Sequence, residues 1–343
     1  PMFEQSGISY FKTHYYGGIK KYQWTAIPLE LHGVVYLADG SRVDVNIGAD
    51  DDDPVFYISD LMPHIGQDQM SKTAAEFIPG EILNIINGSL PLDEEGGVKL
   101  NVLSILNEKY GITERDLITA ELSAVPAFKS RFVGLDRSMI GAYGQDDRIC
   151  AYPSLRALLA EPNPEYTSVL MLADKEEIGS VGITGLGSDT YPDFIARLCA
   201  AAGADFLACK RESVCLSADV GGAYDPCFAE AYEANNSAYL NRGVVISKYT
   251  GSRGKGGCSD AAAETMSRVA RAFDKEGVAW QVGEYGKVDQ GGAGTVASEI
   301  AANGIEVVDC GVPILSMHSP YELASKFDIY EMFKAASAFY KMN

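Results

Sequence analysis

Two adjacent glutamates, Glu176 and Glu177, follow an apolar run at 168–173 that closes on Asp174. Where a chain turns after a buried strand, one of two neighbouring carboxylates can hold a cation while the other faces water. Metal-assisted hydrolysis needs that division: a cation lowers the pKa of water and a separate carboxylate takes its proton. On the pair alone, a solvated strand-to-helix loop explains the residues as well. Other positions add weight. Asp146-Asp147-Arg148 follows Gly144, Ser217-Ala218-Asp219 closes a second apolar run, and His318 comes after a third that ends in Asp309. Carboxylates with one imidazole suit Zn, and also Mn or Co. A lone Asp at a strand end is commonly a helix cap, and a lone His is commonly structural. Several such residues near successive strand ends of one sheet are what an active site requires.

The elements that must position them are legible in outline. From residue 146 onward, apolar runs at 168–173, 214–218 and 305–309 alternate with helical segments and read as buried strands of a largely parallel sheet. Ala262, Met266, Val269, Ala270 and Phe273 recur at helical spacing, with Ser259 or Asp260 as the cap and Gly277 as the stop. Further helices are expected over 295–303 and 327–341. Residues 22–138 look β-rich. There, 34–37 and 43–47 flank the turn Ala38-Asp39-Gly40 as a hairpin, 99–110 reads as a short helix, and 113–125 as a helix start followed by a strand. The acids at 50–53 before Pro54 read as a solvated loop, because adjacent side chains diverge and like charges repel.

The chain has 343 residues, which favours two domains. Lys plus Arg number 28 against 47 Asp plus Glu, and the net charge of −19 argues against nucleic acid or an anionic membrane as main partner. No stretch reaches the roughly 20 apolar residues of a membrane span, and no signal peptide opens the sequence. Seven cysteines (Cys150, Cys199, Cys209, Cys215, Cys227, Cys258 and Cys310) form no C-x-x-C pair. Free thiols in a reducing compartment, the cytoplasm, are the expectation.

The string D-K-E-E-I-G-S at 174–180 resembles the signature of the aspartyl aminopeptidase family of metallopeptidases. D-D-R at 146–148, S-A-D at 217–219, D-Q-G-G-A-G-T at 289–295 and M-H-S at 317–319 match in order, and Y-G-G at 16–18 extends the resemblance over almost the whole chain. The resemblance implies an α/β fold. Its zinc-peptidase-like catalytic domain, with a mostly parallel central sheet flanked by helices, would comprise 1–19 and 139–343. A β-rich dimerisation domain would be inserted at 20–138. It also implies two divalent metal ions. Asp146 would bridge them, Glu177 and His318 would complete one site, and Asp219 would serve the other. Glu176 would be the general base, with Asp174 behind the ligands. His64 would reach the active site of a partner subunit in a homo-oligomer, a tetrahedral dodecamer, acting on peptides with a free N-terminus. The glycines at 291–294, Gly292 and Gly294 among them, would let substrate approach the backbone, or simply form a tight turn. Arg253 and Lys255 would pair an acidic substrate side chain, or lie in a solvated loop.

The sequence departs from the family in two respects: after Asp219 it has Gly221-Gly222 where some relatives carry a histidine, which would alter the substrate pocket, and it lacks one metal ligand. Relatives carry another metal-binding histidine in an H-x-D motif upstream, and no H-x-D occurs here. That segment would be a separate polypeptide, naturally removed, or missing from this sequence, which begins at Pro1. The chain by itself is expected to expose unpaired strand edges and apolar surface, and to need that segment for stability. The rival functions are a related two-metal amidohydrolase, such as a deacylase or carboxypeptidase, and an inactive structural homologue.

Overall fold

The computed structural model describes residues 1–94, 97–161, 164–257 and 259–342, so Cys258 lies outside the described residues. The chain divides into two compact units, Pro1–Lys129 and Ser130–Asn343.

The first unit is built on a seven-stranded antiparallel sheet. Its main path runs through Met2–Gln5, Ile8–Phe11, Ile85–Gly88, Phe56–Tyr57, Pro28–Tyr36 and Arg42–Ile47, and Glu121–Pro126 also pairs with Pro28–Tyr36. The expected hairpin is present, with Leu31 opposite Ile47 and Tyr36 opposite Arg42. Leu29, Leu31 and Val35 are buried, as the two-residue period of a half-buried strand requires. The helix Val98–Tyr110 buries Val98, Val102 and Leu106 at four-residue spacing and ends on Gly111 in the left-handed region. Thr113 opens a 3-10 turn, Glu114–Thr119, by exchanging hydrogen bonds with Asp116 in a capping box. Met2–Gln5 and Ile8–Phe11 pair with each other and with Ile85–Gly88, so the strands of segment 1–19, expected with the catalytic part, stand in this sheet.

The second unit starts at Ser130 rather than 139, because Arg131–Val133 pairs with Met139–Ala142 in its own sheet. A four-stranded sheet runs in the order Val214–Ser217, Glu306–Gly311, Val244–Ser247, Trp280–Val282, with two parallel pairings and one antiparallel. A five-stranded sheet runs Gly221–Gly222, Pro313–Leu315, Glu322–Ser325, Met139–Ala142, Arg131–Val133. The architecture is α/β with mixed sheets. A short turn joins Pro313–Leu315 to Glu322–Ser325, and so short a connection can only reverse the chain. The strand expected at 168–173 does not form. Among the described residues it has no ladder partner, Leu172 is 62% exposed, and an extended segment gains strand character only by pairing.

Helices pack over these sheets. Val269 and Phe273 of Ala263–Glu276, with Met332 and Ala335 of Lys326–Tyr340, close on Val244, Ile246, Val308 and Ile314. Each large side chain buried there contributes roughly 1.5–3 kcal/mol. Gly277 ends Ala263–Glu276 as expected, but the cap is Ala262, not Ser259 or Asp260. The Asp260 carboxylate is taken by Lys248 at 2.6 Å and Lys255 at 2.9 Å. The helix expected at 295 begins at Ala297, because the Thr295 hydroxyl donates to Asp309 at 2.7 Å. No helix among the described residues is long and apolar enough to cross a membrane.

Candidate metal centre

Four chain reversals in the second unit carry the acids and the imidazole. Gly144, at φ 67°, opens the helix Gln145–Ala160, and Asp146 within its first turn keeps an extended ψ of 115°. Glu176 and Glu177 share a 3-10 turn bounded by Lys175 at φ 61° and Gly179 at φ 90°. Asp219 lies between Val214–Ser217 and Gly221–Gly222. His318, at φ 62°, occupies the turn before Glu322–Ser325. A left-handed backbone at a non-glycine residue costs about 1–3 kcal/mol and persists only where the surroundings enforce it. Here the enforcement at His318 is visible: its N–H donates to Glu322 Oε1 at 2.8 Å. The other oxygen of that carboxylate, Oε2, accepts the N–H of Asp146 at 3.1 Å.

His318 Nε2 stands 3.3 Å from Asp146 Oδ2 and 3.3 Å from Glu177 Oε2. Ligand-capable atoms of Asp146, Glu177 and His318 all lie within 4.8 Å of one another, and so do those of Asp146, Asp147 and Asp219. Asp146 belongs to both groups, the position a bridging carboxylate would take. Burial pushes Asp146 up to about 7, with the neighbouring acids adding to it. Burial likewise raises Glu177 and lifts Asp219 well above the usual carboxylate range. Asp147 Oδ1 is buried with no hydrogen-bond partner. Crowded, half-desolvated acids with an orphaned oxygen are unfavourable unless a cation neutralises them. The residues therefore fit a divalent metal. The first group, two carboxylates and one imidazole, suits zinc, and the second offers oxygen only.

Glu176 is in neither group. Its carboxyl is half-buried, and burial, followed by the charges of Asp147, Glu177 and Asp146, brings it up to about 7. Such a carboxyl can both accept and return a proton near neutrality. Asp174 is exposed and belongs to neither group. It accepts from the Thr184 hydroxyl at 2.6 Å and from the Lys175 N–H at 2.9 Å, which bends the chain just before the two glutamates.

Arg253 and Lys255 line a cavity of about 190 Å³ together with Glu284 and Tyr285. Lys255 is paired with Asp260 and lies 4.2 Å from the centroid of the Tyr249 ring, whereas the Arg253 guanidinium has no carboxylate within ion-pairing distance among the described residues. Gly292, at φ 118°, packs so closely that a Cβ would sit 1.9 Å from Gly251 O, while at Gly294 the nearest atom would be 3.9 Å away. His64 is in the first unit, exposed on the 3-10 turn Pro63–Ile65. Leu61, Met62, Ile65 and Met70 are exposed near it in sequence.

Three residues escaped the sequence reading. Asp147 was visible as half of an acidic pair, but nothing in the pair says which member faces Asp219. Glu322 has no motif of its own, and its part is apparent only once it is seen to hold the backbones of Asp146 and His318. Gln145 donates to Glu322 O at 2.7 Å and to Ile140 O at 3.1 Å, which steadies the same turn.

The family described as aminopeptidase I zinc metalloprotease (M18) matches residues 1–340. The probable M18 family aminopeptidase 1 of Clostridium acetobutylicum is 49% identical over 346 residues, covering 99% of this chain and 74% of its own length. The crystal structure of the M18 family aminopeptidase from Thermotoga maritima superposes with a TM-score of 0.97 at 45% identity, covering 100% of this chain and 77% of that one. The mApe1 dodecamer of S. cerevisiae shares the fold, with a TM-score of 0.75 at 22% identity over 99% of this chain and 74% of that one.

Proposed function

This chain belongs to the M18, aminopeptidase I, family of zinc metalloproteases and is a metal-dependent aminopeptidase, and from that premise we propose how its residues divide the work. Asp146, Glu177 and His318 would hold one divalent cation, zinc, and Asp146, Asp147 and Asp219 would hold a second. A cation bound there supplies Lewis acidity, lowering the pKa of water and polarising a peptide carbonyl. Glu176 takes the proton of the attacking water at its carboxylate and delivers it to the nitrogen of the leaving amine. Its half-buried setting, with a carboxyl brought to about 7, supports that role. Asp174 shapes the turn that presents both glutamates.

The free amino group of the substrate makes the N-terminal residue the one removed, and the acidic surroundings of the centre favour that ammonium. Arg253 and Lys255 face the side chain of that residue, with Arg253 the cation left available to it. Gly292 and Gly294 shape the loop along which the substrate backbone lies. His64 serves the centre of a partner subunit. The exposed apolar side chains beside it support a dimerisation surface, and the dodecamer described for the yeast relative supports a tetrahedral dodecamer here. The six described cysteines are free thiols, which supports the cytoplasm.

The observation that carries this reading is the convergence of Asp146, Glu177 and His318 beside the raised carboxyl of Glu176. Glu176→Gln tests it. The variant is expected to keep its metal content and lose activity on peptides with a free N-terminus by a factor of about 10²–10⁴. Hydrolysis of N-acetylated peptides by the unmodified chain would instead support a deacylase, and retained activity in the variant would remove Glu176 from the mechanism.

A further inference from the structure

We infer that Tyr285 is a positioning residue for Asp219, acting through Val220. Val220 is held from both sides. Its N–H donates to Asp219 Oδ1 at 2.7 Å, and its carbonyl accepts the Tyr285 hydroxyl. The first of these bonds fixes the rotation of the Asp219 carboxylate, and the second fixes the residue that makes the first. On its other flank the Asp219 carbonyl is pressed against the Glu306–Gly311 strand so closely that a Cβ on Gly311 would lie 1.4 Å from it. The Asp219 carbonyl is thus bounded by the Gly311 backbone, while the Val220 carbonyl takes the Tyr285 hydroxyl and the N–H of the same peptide, Gly221, donates to Val312 O at 2.9 Å.

Tyr285 is itself anchored to the glycine-rich stretch. A Cβ on Gly291 would fall 1.8 Å from Tyr285 O, and the Tyr285 ring covers Gly222, with Cδ1 3.7 Å from where a Cβ would be. The same tyrosine lines both the small cavity beside Asp219 and the larger one containing Arg253. A shift of the loop that contacts substrate is thereby passed to Val220, and from Val220 to Asp219. Residues that orient a ligand typically change metal affinity by about 10–100-fold when their contact is lost.

The inference rests on the reading of Asp219 as a ligand, and the experiment separates the two. Metal-stripped full chain is titrated with Zn²⁺ by calorimetry, in the unmodified form and as Tyr285→Phe, which keeps the ring and removes only the hydroxyl. Two binding events are expected in the unmodified protein. In the variant one event weakens by about tenfold or more and the other is unchanged, while the stripped variant melts only as much earlier as the loss of one buried hydrogen bond requires. In an Asp219→Asn background, Tyr285→Phe produces no further change in affinity. If the two events weaken together, Tyr285 serves the fold as a whole and the inference fails. It fails too if neither event moves. One event in the unmodified protein overturns the reading of Asp219, and this inference with it.

Discussion

Asp146 and His318 are fastened to each other by one carboxylate: the two oxygens of Glu322 accept their backbone N–H groups at 3.1 and 2.8 Å. Glu322 is 2% exposed and meets the Asp146 and His318 backbones, not their side chains, through these bonds, so its effect on the candidate centre runs through backbone placement. Glutamine in its place has one acceptor oxygen and turns an NH₂ group towards a second donor. Glu322→Gln is expected to weaken zinc binding by about 10–100-fold and to lower stability by about 1–3 kcal/mol through the unsatisfied N–H. Zinc titration and chemical denaturation of the same preparation check both. Unchanged affinity would mean that the turn at His318 is held by other contacts.

Metal affinity should depend steeply on pH. In the metal-free chain Asp146 carries a proton below about 7, because burial favours its neutral form. A cation must displace that proton. Affinity therefore falls as pH drops below 7, by about tenfold per unit for each proton displaced. Above 7 the dependence flattens as far as Asp146 is concerned. Calorimetric titrations at pH 6.0 and 8.0, in buffers of different ionisation enthalpy, count the protons. Equal affinity at the two values, with no proton release, would show that Asp146 is ionised throughout.

The residues gathered at the candidate centre were legible in the sequence because they are residue types at fixed offsets. Glu176 and Glu177, Asp146, Asp219 and His318 follow short apolar runs or turns, and each lies where a strand or turn hands the chain onward. Helices with an apolar stripe and a glycine stop were equally readable, as Val269, Phe273 and Gly277 show. What failed depended on partners distant in sequence. The 168–173 run has the composition of a strand, yet a strand exists only by pairing. Asp260 has the composition of a cap, yet two lysines claim its carboxylate. Glu322 resembles any acid in a hairpin until its two donors are placed. Two of the three pairings in the four-stranded sheet are parallel, and the antiparallel members of both sheets carry no mark in a list of apolar runs.

Gly292 and Gly294 separate a packing requirement from a turn preference. At Gly292, φ is 118° and a Cβ would meet Gly251 O at 1.9 Å, so alanine requires the two loops to part. At Gly294 the nearest atom would be 3.9 Å away, an ordinary contact. Gly292→Ala is expected to cost about 1–3 kcal/mol of local stability, with a raised KM as the loop shifts. Gly294→Ala should stay within about 0.5 kcal/mol. Hydrogen exchange of the 287–294 amides, with steady-state kinetics, reports both. Equal effects from the two variants would contradict the close approach of Gly251.

Away from the centre, Asp328 gives the fold a pH dependence of calculable sign. It is 0% exposed, and its carboxylate accepts the N–H groups of Asn241 and Gly243 at 2.8 and 2.7 Å. Burial outweighs those donors and pushes its pKa up to about 6. An unfolded aspartate titrates near 3.9. Between these values the folded chain binds the proton more tightly than the unfolded chain. The stability Asp328 contributes is therefore full below about 4, falls as pH rises, and levels off above about 6, a loss of roughly 3 kcal/mol. Asp328→Asn does not titrate. The stability advantage of the unmodified chain over this variant should accordingly shrink by that amount between pH 4 and pH 6.5 and then stay constant. Urea denaturation of both proteins across that range measures it. An advantage that grows with pH would show that the backbone donors, not burial, govern the Asp328 carboxyl.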